Sequence, residues 1–185
     1  MEGVIDLNKE LLQKGYVQVY TGNGKGKTTA ALGLAFRAMG RGLKTYIGQF
    51  VKGRYSGELK SAEMVSPYIT IEQYGKGTFI RHVNPPHEED VQRAHSGLEK
   101  ARKVMISGEY DIIILDEINT ANDLNLISTE AMLEVIKSKP EGVELIFTGR
   151  NAPPEVLAAA DLVTEMVQVK HYYIQGVPAR DGIEH

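Results

Sequence analysis

Val19-Tyr20-Thr21-Gly22-Asn23-Gly24-Lys25-Gly26-Lys27-Thr28-Thr29 decides the fold. It opens as a strand, passes through a glycine-rich turn and runs into a helix. Glycines let successive backbone amides converge on one concavity, a lysine adds a compact positive charge, and the next hydroxyl can reach a magnesium ion. Gly22, Asn23, Gly24, Lys25, Gly26, Lys27, Thr28 and Thr29 are therefore the candidate cradle for a triphosphate. Lys27 is placed on phosphate oxygens and Thr28 on Mg²⁺. The cradle is one residue short. The usual motif has four residues between its first glycine and the Gly-Lys pair, whereas three, Asn23, Gly24 and Lys25, separate Gly22 from Gly26. A shortened loop seats phosphates in a different register, which points away from ordinary cleavage of the terminal phosphate.

Outward from this stretch, strands and helices alternate. Leu7 to Lys14 reads as a short amphipathic helix closed by Gly15, within an N-terminal helical segment over 1–15. Tyr16 to Thr21 is a strand, and Lys27 to Met39 a helix ended by Gly40 and Gly42. Strands follow at Thr45 to Phe50 and Ile69 to Gln73, with polar Gly-punctuated loops after each. A long helix is expected from Glu88 to Ser107, where Val91, Ala94, Leu98, Ala101 and Met105 recur at helical spacing. Its acidic first turn and basic last turn suit the helix dipole. Asp111 to Leu115 and Val143 to Thr148 are continuous apolar strands. Ser128 caps a helix to Lys137, Pro153-Pro154 opens one to Ala160, and Leu162 to Val169 is the last strand. This pattern predicts an α/β fold, a mostly parallel sheet with helices on both faces, over a single domain 1–185. Ligands in such folds sit at the carboxyl ends of the strands. That rim gathers the loops at 21–27, 50–57, 116–119 and 148–151.

Composition removes several function classes. The 21 basic and 24 acidic side chains leave a net charge of −3, against the basic excess of an electrostatically driven nucleic-acid binder. The chain has no Cys, so disulfide scaffolds and thiolate metal sites are ruled out. Its N-terminus lacks the apolar run of a signal peptide, and no stretch approaches the roughly 18 apolar residues of a membrane span. A cytoplasmic protein without nucleic-acid or membrane partners is expected.

Ile112-Ile113-Ile114-Leu115-Asp116-Glu117 supplies the second half of the site. An acidic pair ending a buried strand is the partner a phosphate loop needs, because a carboxylate holds Mg²⁺ directly or through water. Glu117 has two open readings, a water-activating base or a metal ligand. Arg150, after the strand ending Phe147-Thr148, is either a bidentate phosphate clamp or a surface cation. Lys25 is either an extra cradle cation or a solvated lysine. Phe50, Tyr55, Tyr74 and Phe79 are either an apolar floor for a flat ligand or partly buried core. His171 reads more readily as structural than functional.

Together these motifs resemble the ATP:corrinoid adenosyltransferases of the P-loop type. The resemblance is carried by Thr21 to Thr29, Phe50-Val51-Lys52-Gly53 with Gly57-Glu58, Leu115-Asp116-Glu117, Leu145 to Arg150, Ala160 to Glu165, Val169-Lys170-His171, Gly176-Val177 and Ala179-Arg180-Asp181-Gly182-Ile183-Glu184. It implies a RecA-like P-loop NTPase fold and transfer of the 5′-deoxyadenosyl group of ATP to the cobalt(I) of a corrinoid, with triphosphate released. It further implies ATP bound in reverse, the triphosphate on Gly24 to Thr29, and Mg²⁺ on Thr28 and Glu117 with Asp116 nearby. A homodimer in which an N-terminal helix covers the partner's site, here Leu7 to Lys14, and a flavoprotein reductant also follow from it. One departure stands out. Relatives often carry a Gly-Phe-Thr-Trp-like wall facing the corrinoid, where this chain has Gly77-Thr78-Phe79-Ile80 and no Trp. Phe79, displaced by one position, is the aromatic assigned there.

Two other classes fit a phosphate loop. A RecA-like ATPase or small kinase would release orthophosphate or ADP without a corrinoid, and would add an arginine finger or an acceptor lid. A regulatory module would bind MgATP and never turn over.

Overall fold

The structure, a computed structural model, describes residues 12–76 and 85–184. Its elements in chain order are β1 (Val17–Thr21), α1 (Lys27–Met39), β2 (Thr45–Gln49), α2 (Gly57–Met64), β3 (Ile69–Gln73), α3 (Glu88–Ile106), β4 (Ile112–Asp116), α4 (Ile118–Asp123), α5 (Thr129–Lys137), β5 (Glu144–Thr148), α6 (Pro154–Ala159) and β6 (Leu162–Glu165). A single 3₁₀ turn (Tyr172–Gln175) follows. The expected N-terminal helix falls mostly outside the described residues, and residues 12–14 are not helical.

The six strands form one sheet in the order β3-β2-β4-β5-β1-β6, every pair parallel. Alternation along the central strands explains its two-sided burial. Ile113 and Leu115 of β4 join one core with Val19, Phe147 and the inward faces of α3 and α5. Ile112 and Ile114 join the other with Ile146 and the Ala31, Ala35 and Ala38 stripe of α1. Successive strand side chains point to opposite faces, so a strand buried on both must read as a continuous apolar run.

Ser128 caps α5 as expected, its side chain accepting from the Ala131 N–H. Three elements were not foreseen. Helix α2 buries Ala62 alone, with Leu59 half-buried and Met64 exposed, so it carries no clear apolar stripe. Helix α4 has 6 residues and the 3₁₀ turn has 4, too short for any period to register. The last strand ends at Glu165, four residues before Val169, because pairing with β1 stops at Thr21↔Glu165 where the phosphate loop begins.

The strand order positions the chemistry. A single strand, β5, lies between β1 and β4. The loop after β1, the acids ending β4 and the Thr148-Gly149-Arg150 exit of β5 are thus neighbours on one rim.

Candidate active site

The phosphate loop wraps from β1 to α1 in a conformation that requires its glycines. Gly22 and Gly26 have φ of 92° and 120°. A Cβ on Gly22 or Gly24 would come within 2.6 Å of the Met166 carbonyl oxygen. Chain beyond β6 therefore presses on the loop, and the Gly24 N–H donates to Met166 O at 2.6 Å. The Lys27 Nζ turns back into the loop and donates to the carbonyls of Gly22 and Gly24, both at 2.8 Å. Lys27 is 7% exposed. Burial lowers its pKa, Arg150 pushes the same way, and Glu117 and Asp116 oppose them.

Asp116, almost fully buried, is the hub behind the loop. Its Oδ1 accepts from the Thr28 hydroxyl at 2.8 Å and the Thr148 hydroxyl at 2.6 Å. Its Oδ2 accepts from Gln49 Nε2 at 3.2 Å and Lys52 Nζ at 3.1 Å. Both oxygens are thus engaged by the protein, and Asp116 meets the cleft through Thr28. Glu117 adopts a left-handed conformation, φ 61°. Its N–H donates to Thr148 Oγ1 at 2.9 Å, and its carboxylate accepts from the Thr120 hydroxyl. The turn after β5 closes the same corner, where the Arg150 N–H donates to Thr120 Oγ1 at 3.2 Å.

One cleft of about 590 Å³ gathers most of the expected residues: Asn23, Gly24, Lys25, Gly26, Lys27, Thr28, Thr29, Glu117 and Arg150 line it. Gly22 does not line the cleft and meets it through the Lys27 bond to its carbonyl, and Phe79 lies outside the described residues. Lys52, Glu58, Ser61, His171 and the tail residues Gly182, Ile183 and Glu184 complete the walls. Lys52 and Glu58 were visible only as resemblance motifs, because nothing in their local sequence shows that the β2–α2 loop folds back onto Asp116. Around Lys52, burial works against the charge, but Asp116 and Glu58 more than offset it and raise its pKa. Burial would raise Glu58, yet its bonds to Gln49 and its neighbour Lys52 hold it below the usual carboxylate range.

Lys25 lines the cleft, is exposed, and also reaches the tail. Its Nζ donates to the Ile183 carbonyl at 3.1 Å and lies 4.0 Å from Glu184. Glu184 is in turn held by the Arg180 guanidinium, the Arg180 N–H and the Tyr172 hydroxyl. His171 lines the cleft and also accepts the Tyr173 N–H at 3.1 Å, which starts the 3₁₀ turn. The aromatic floor does not form as a unit. Phe50 is fully buried and packs edge-on against Tyr74 at 5.3 Å, while Tyr55 is exposed.

The donor set suits a hard cation. It consists of the Thr28 hydroxyl, whose proton is committed to Asp116 so that its lone pairs face outward, and the Glu117 carboxylate in the same cleft. Mg²⁺ uses one or two protein oxygens of this kind and takes the rest from phosphates and water. Among the described residues no group of three His, Asp or Glu side chains forms an all-protein metal cage, and no helix is long and apolar enough to cross a membrane.

The parallel sheet and cradle define a P-loop nucleotide-binding protein of the RecA-like kind. The fold is similar to that of the flagellar accessory protein FlaH from Methanocaldococcus jannaschii, with a TM-score of 0.53 and 14% identity, covering 83% of this chain and 72% of that one. More specifically, residues 13–185 match the family ATP:corrinoid adenosyltransferase BtuR/CobO/CobP, and the chain belongs to it. It is 33% identical to a corrinoid adenosyltransferase of Sinorhizobium sp over 93% of this chain and 81% of that protein. It is 32% identical to the corrinoid adenosyltransferase of Escherichia coli K12 over 94% and 87%.

Proposed function

We propose that this chain transfers the 5′-deoxyadenosyl group of ATP to the cobalt(I) of a corrinoid and releases triphosphate. The observation that carries this reading is the shortened cradle, which lines a single cleft with Glu117 and Arg150 in a member of the corrinoid adenosyltransferase family. Cobalt(I) attacks the ribose C5′ with its electron pair. The C5′–O bond breaks, its electrons leave on the triphosphate, and cobalt ends two electrons more oxidised.

Charge develops on the ester oxygen of the α-phosphate, so the useful interactions are those that strengthen there as the bond breaks. Lys27 exchanges the Gly22 and Gly24 carbonyls for phosphate oxygens, while the amides of Gly24 to Thr29 hold the chain. ATP lies reversed, its ester end toward Thr28 and Glu117. These two residues hold Mg²⁺, with Asp116 behind Thr28, and Arg150 clamps a phosphate. The bound ion would neutralise triphosphate charge. No water needs activating, so Glu117 serves as a ligand and not as a base. By the resemblance, Phe79, outside the described residues, is the aromatic assigned to the corrinoid. We extend the resemblance to a cytoplasmic homodimer supplied with electrons by a flavoprotein.

The test is anaerobic. Protein, MgATP and chemically reduced corrinoid are mixed, the absorption of an alkylated cobalt is followed, and triphosphate is assayed. Both products are expected together. Orthophosphate alone, without alkylation, would replace this reading with an ATPase.

A further inference from the structure

We propose that Lys52 is a positioning residue for the metal end of the cleft: by holding Asp116 Oδ2, it keeps Oδ1 turned to the Thr28 hydroxyl. The inference rests on the reading that Thr28 and Glu117 hold Mg²⁺ beside the triphosphate.

Lys52 Nζ lies 3.1 Å from Asp116 Oδ2 and 3.4 Å from Glu58 Oε1. Asp116 is 1% exposed and Lys52 34%. Among the described residues, Lys52 is the one cation bonded to Asp116; Thr28, Thr148 and Gln49 are neutral donors. A carboxylate so deeply buried needs a counter-charge. Because that charge grips one oxygen, it also fixes the plane of the carboxylate. The other oxygen is then held between two hydroxyls, Thr28 and Thr148, and the second of these also accepts the Glu117 N–H. Both proposed metal ligands are therefore tied to one carboxylate, Thr28 directly and Glu117 through Thr148, and Lys52 is the charged one of the two donors, with Gln49, on its other oxygen.

The backbone around Lys52 is locked in a shape its sequence resists. Val51 has φ of 63°, a left-handed conformation in which a β-branched residue is a genuine outlier. Such strain persists only where the surroundings over-determine it. Here they do. The Phe50 N–H donates to the Asp116 carbonyl and the Gly75 N–H to the Lys52 carbonyl, each at 2.8 Å. A Cβ on Gly53 would meet the Lys76 carbonyl carbon at 2.3 Å, and one on Gly75 would meet that of Val51 at 2.5 Å. Two chain segments interlock through these glycines, and the result is a lysine aimed at Asp116.

The experiment compares Lys52→Met, Lys52→Gln and Lys52→Arg with the parent chain, without corrinoid. ATP binding is measured by calorimetry across a Mg²⁺ titration and again in EDTA, and thermal melting establishes that each variant folds. The neutral variants should need roughly 10–100-fold more Mg²⁺ for half-maximal enhancement of ATP binding, the loss typical of removing a group that orients a metal ligand. Their affinity for ATP in EDTA should stay within about twofold of the parent, and Lys52→Arg, which keeps the counter-charge, should stay closer to the parent than either neutral variant. A folded neutral variant with the parental Mg²⁺ requirement overturns the proposal. So does an equal loss of affinity in EDTA, which would make Lys52 a direct phosphate contact. Lys52→Gln, which removes the counter-charge but keeps a polar side chain in the cleft, carries the test if Lys52→Met does not fold. ATP binding by the parent chain that is indifferent to Mg²⁺ would overturn the metal reading itself, whatever the variants do.

Discussion

The Thr28 hydroxyl donates to Asp116 Oδ1 at 2.8 Å, tying the first turn of α1 to the last residue of β4 across 88 positions of sequence. Phosphate loop and acidic strand end are thereby joined directly. Asp116→Ala would strip an acceptor from Thr28, Thr148, Gln49 and Lys52 at once. Donors left unsatisfied in a buried site cost about 1–3 kcal/mol, and a chain of this size loses roughly 2–4 °C per kcal/mol. Thermal melting should register a fall of several degrees, and calorimetry the loss of Mg²⁺-enhanced ATP binding. A variant that melts like the parent would show that the hub contributes nothing.

Glu117→Gln separates the two roles an acid can play after this strand. The fold should be unaffected, because the backbone N–H that bonds Thr148 is retained. Corrinoid alkylation with Mg²⁺ should fall by on the order of 100-fold, read from the absorption of the alkylated product. Full activity would mean that Glu117 is not a metal ligand.

Gly149→Ala tests the corner that orders Thr120 and Arg150. Gly149 has φ of 130°, and a Cβ there would come within 2.7 Å of the Thr120 nitrogen and 2.9 Å of its Oγ1. Strain of this kind costs about 1–3 kcal/mol, so melting should shift down. The Michaelis constant for ATP should rise as the Arg150 N–H loses Thr120. The same substitution at Gly33, inside α1 with nothing within 4 Å of the added Cβ, should leave the Michaelis constant unchanged and raise melting slightly, because alanine is the better helix residue.

The tail gives a pH prediction. Bonds from Arg180 and then Tyr172 hold the Glu184 carboxyl down at about 2, against an ordinary 4.5. A depressed folded-state pKa contributes stability that is complete above the unfolded value and is lost as pH falls through the folded one. Tail docking should therefore be intact above about pH 4.5 and be lost as pH falls from there through about 2. Carboxyl-carbon NMR should show Glu184 titrating well below the ordinary glutamate value. At neutral pH, Glu184→Gln should speed carboxypeptidase digestion of the tail; an unchanged rate would mean that the tail is held by something else.

Much of the sheet was legible because its central strands obey a simple rule. Ile112 to Leu115 and Leu145 to Phe147 are buried on both faces, and only unbroken apolar runs satisfy that. Helix α3 showed because Ala94, Leu98, Ala101 and Met105 keep a helical period on its buried side. Helix α2 did not, since its contribution lies in where its loop goes and not in an apolar stripe. For the same reason the phosphate loop could be read directly, its chemistry being contiguous, whereas the grip of Lys52 on Asp116 spans 64 positions and depends on strands that neither residue announces. The Lys25 contacts with Ile183 and Glu184 are likewise products of the chain's return path.

Helix α1 rests on the sheet through Ala31, Ala35 and Ala38, so methyl groups set its standoff. A larger side chain at any of these positions would act as a shim, tipping the whole rod and with it the Lys27 and Thr28 at its leading end. The tolerances of the anion cradle are thus machined by the least reactive atoms in the molecule, up to three turns away from the chemistry they serve.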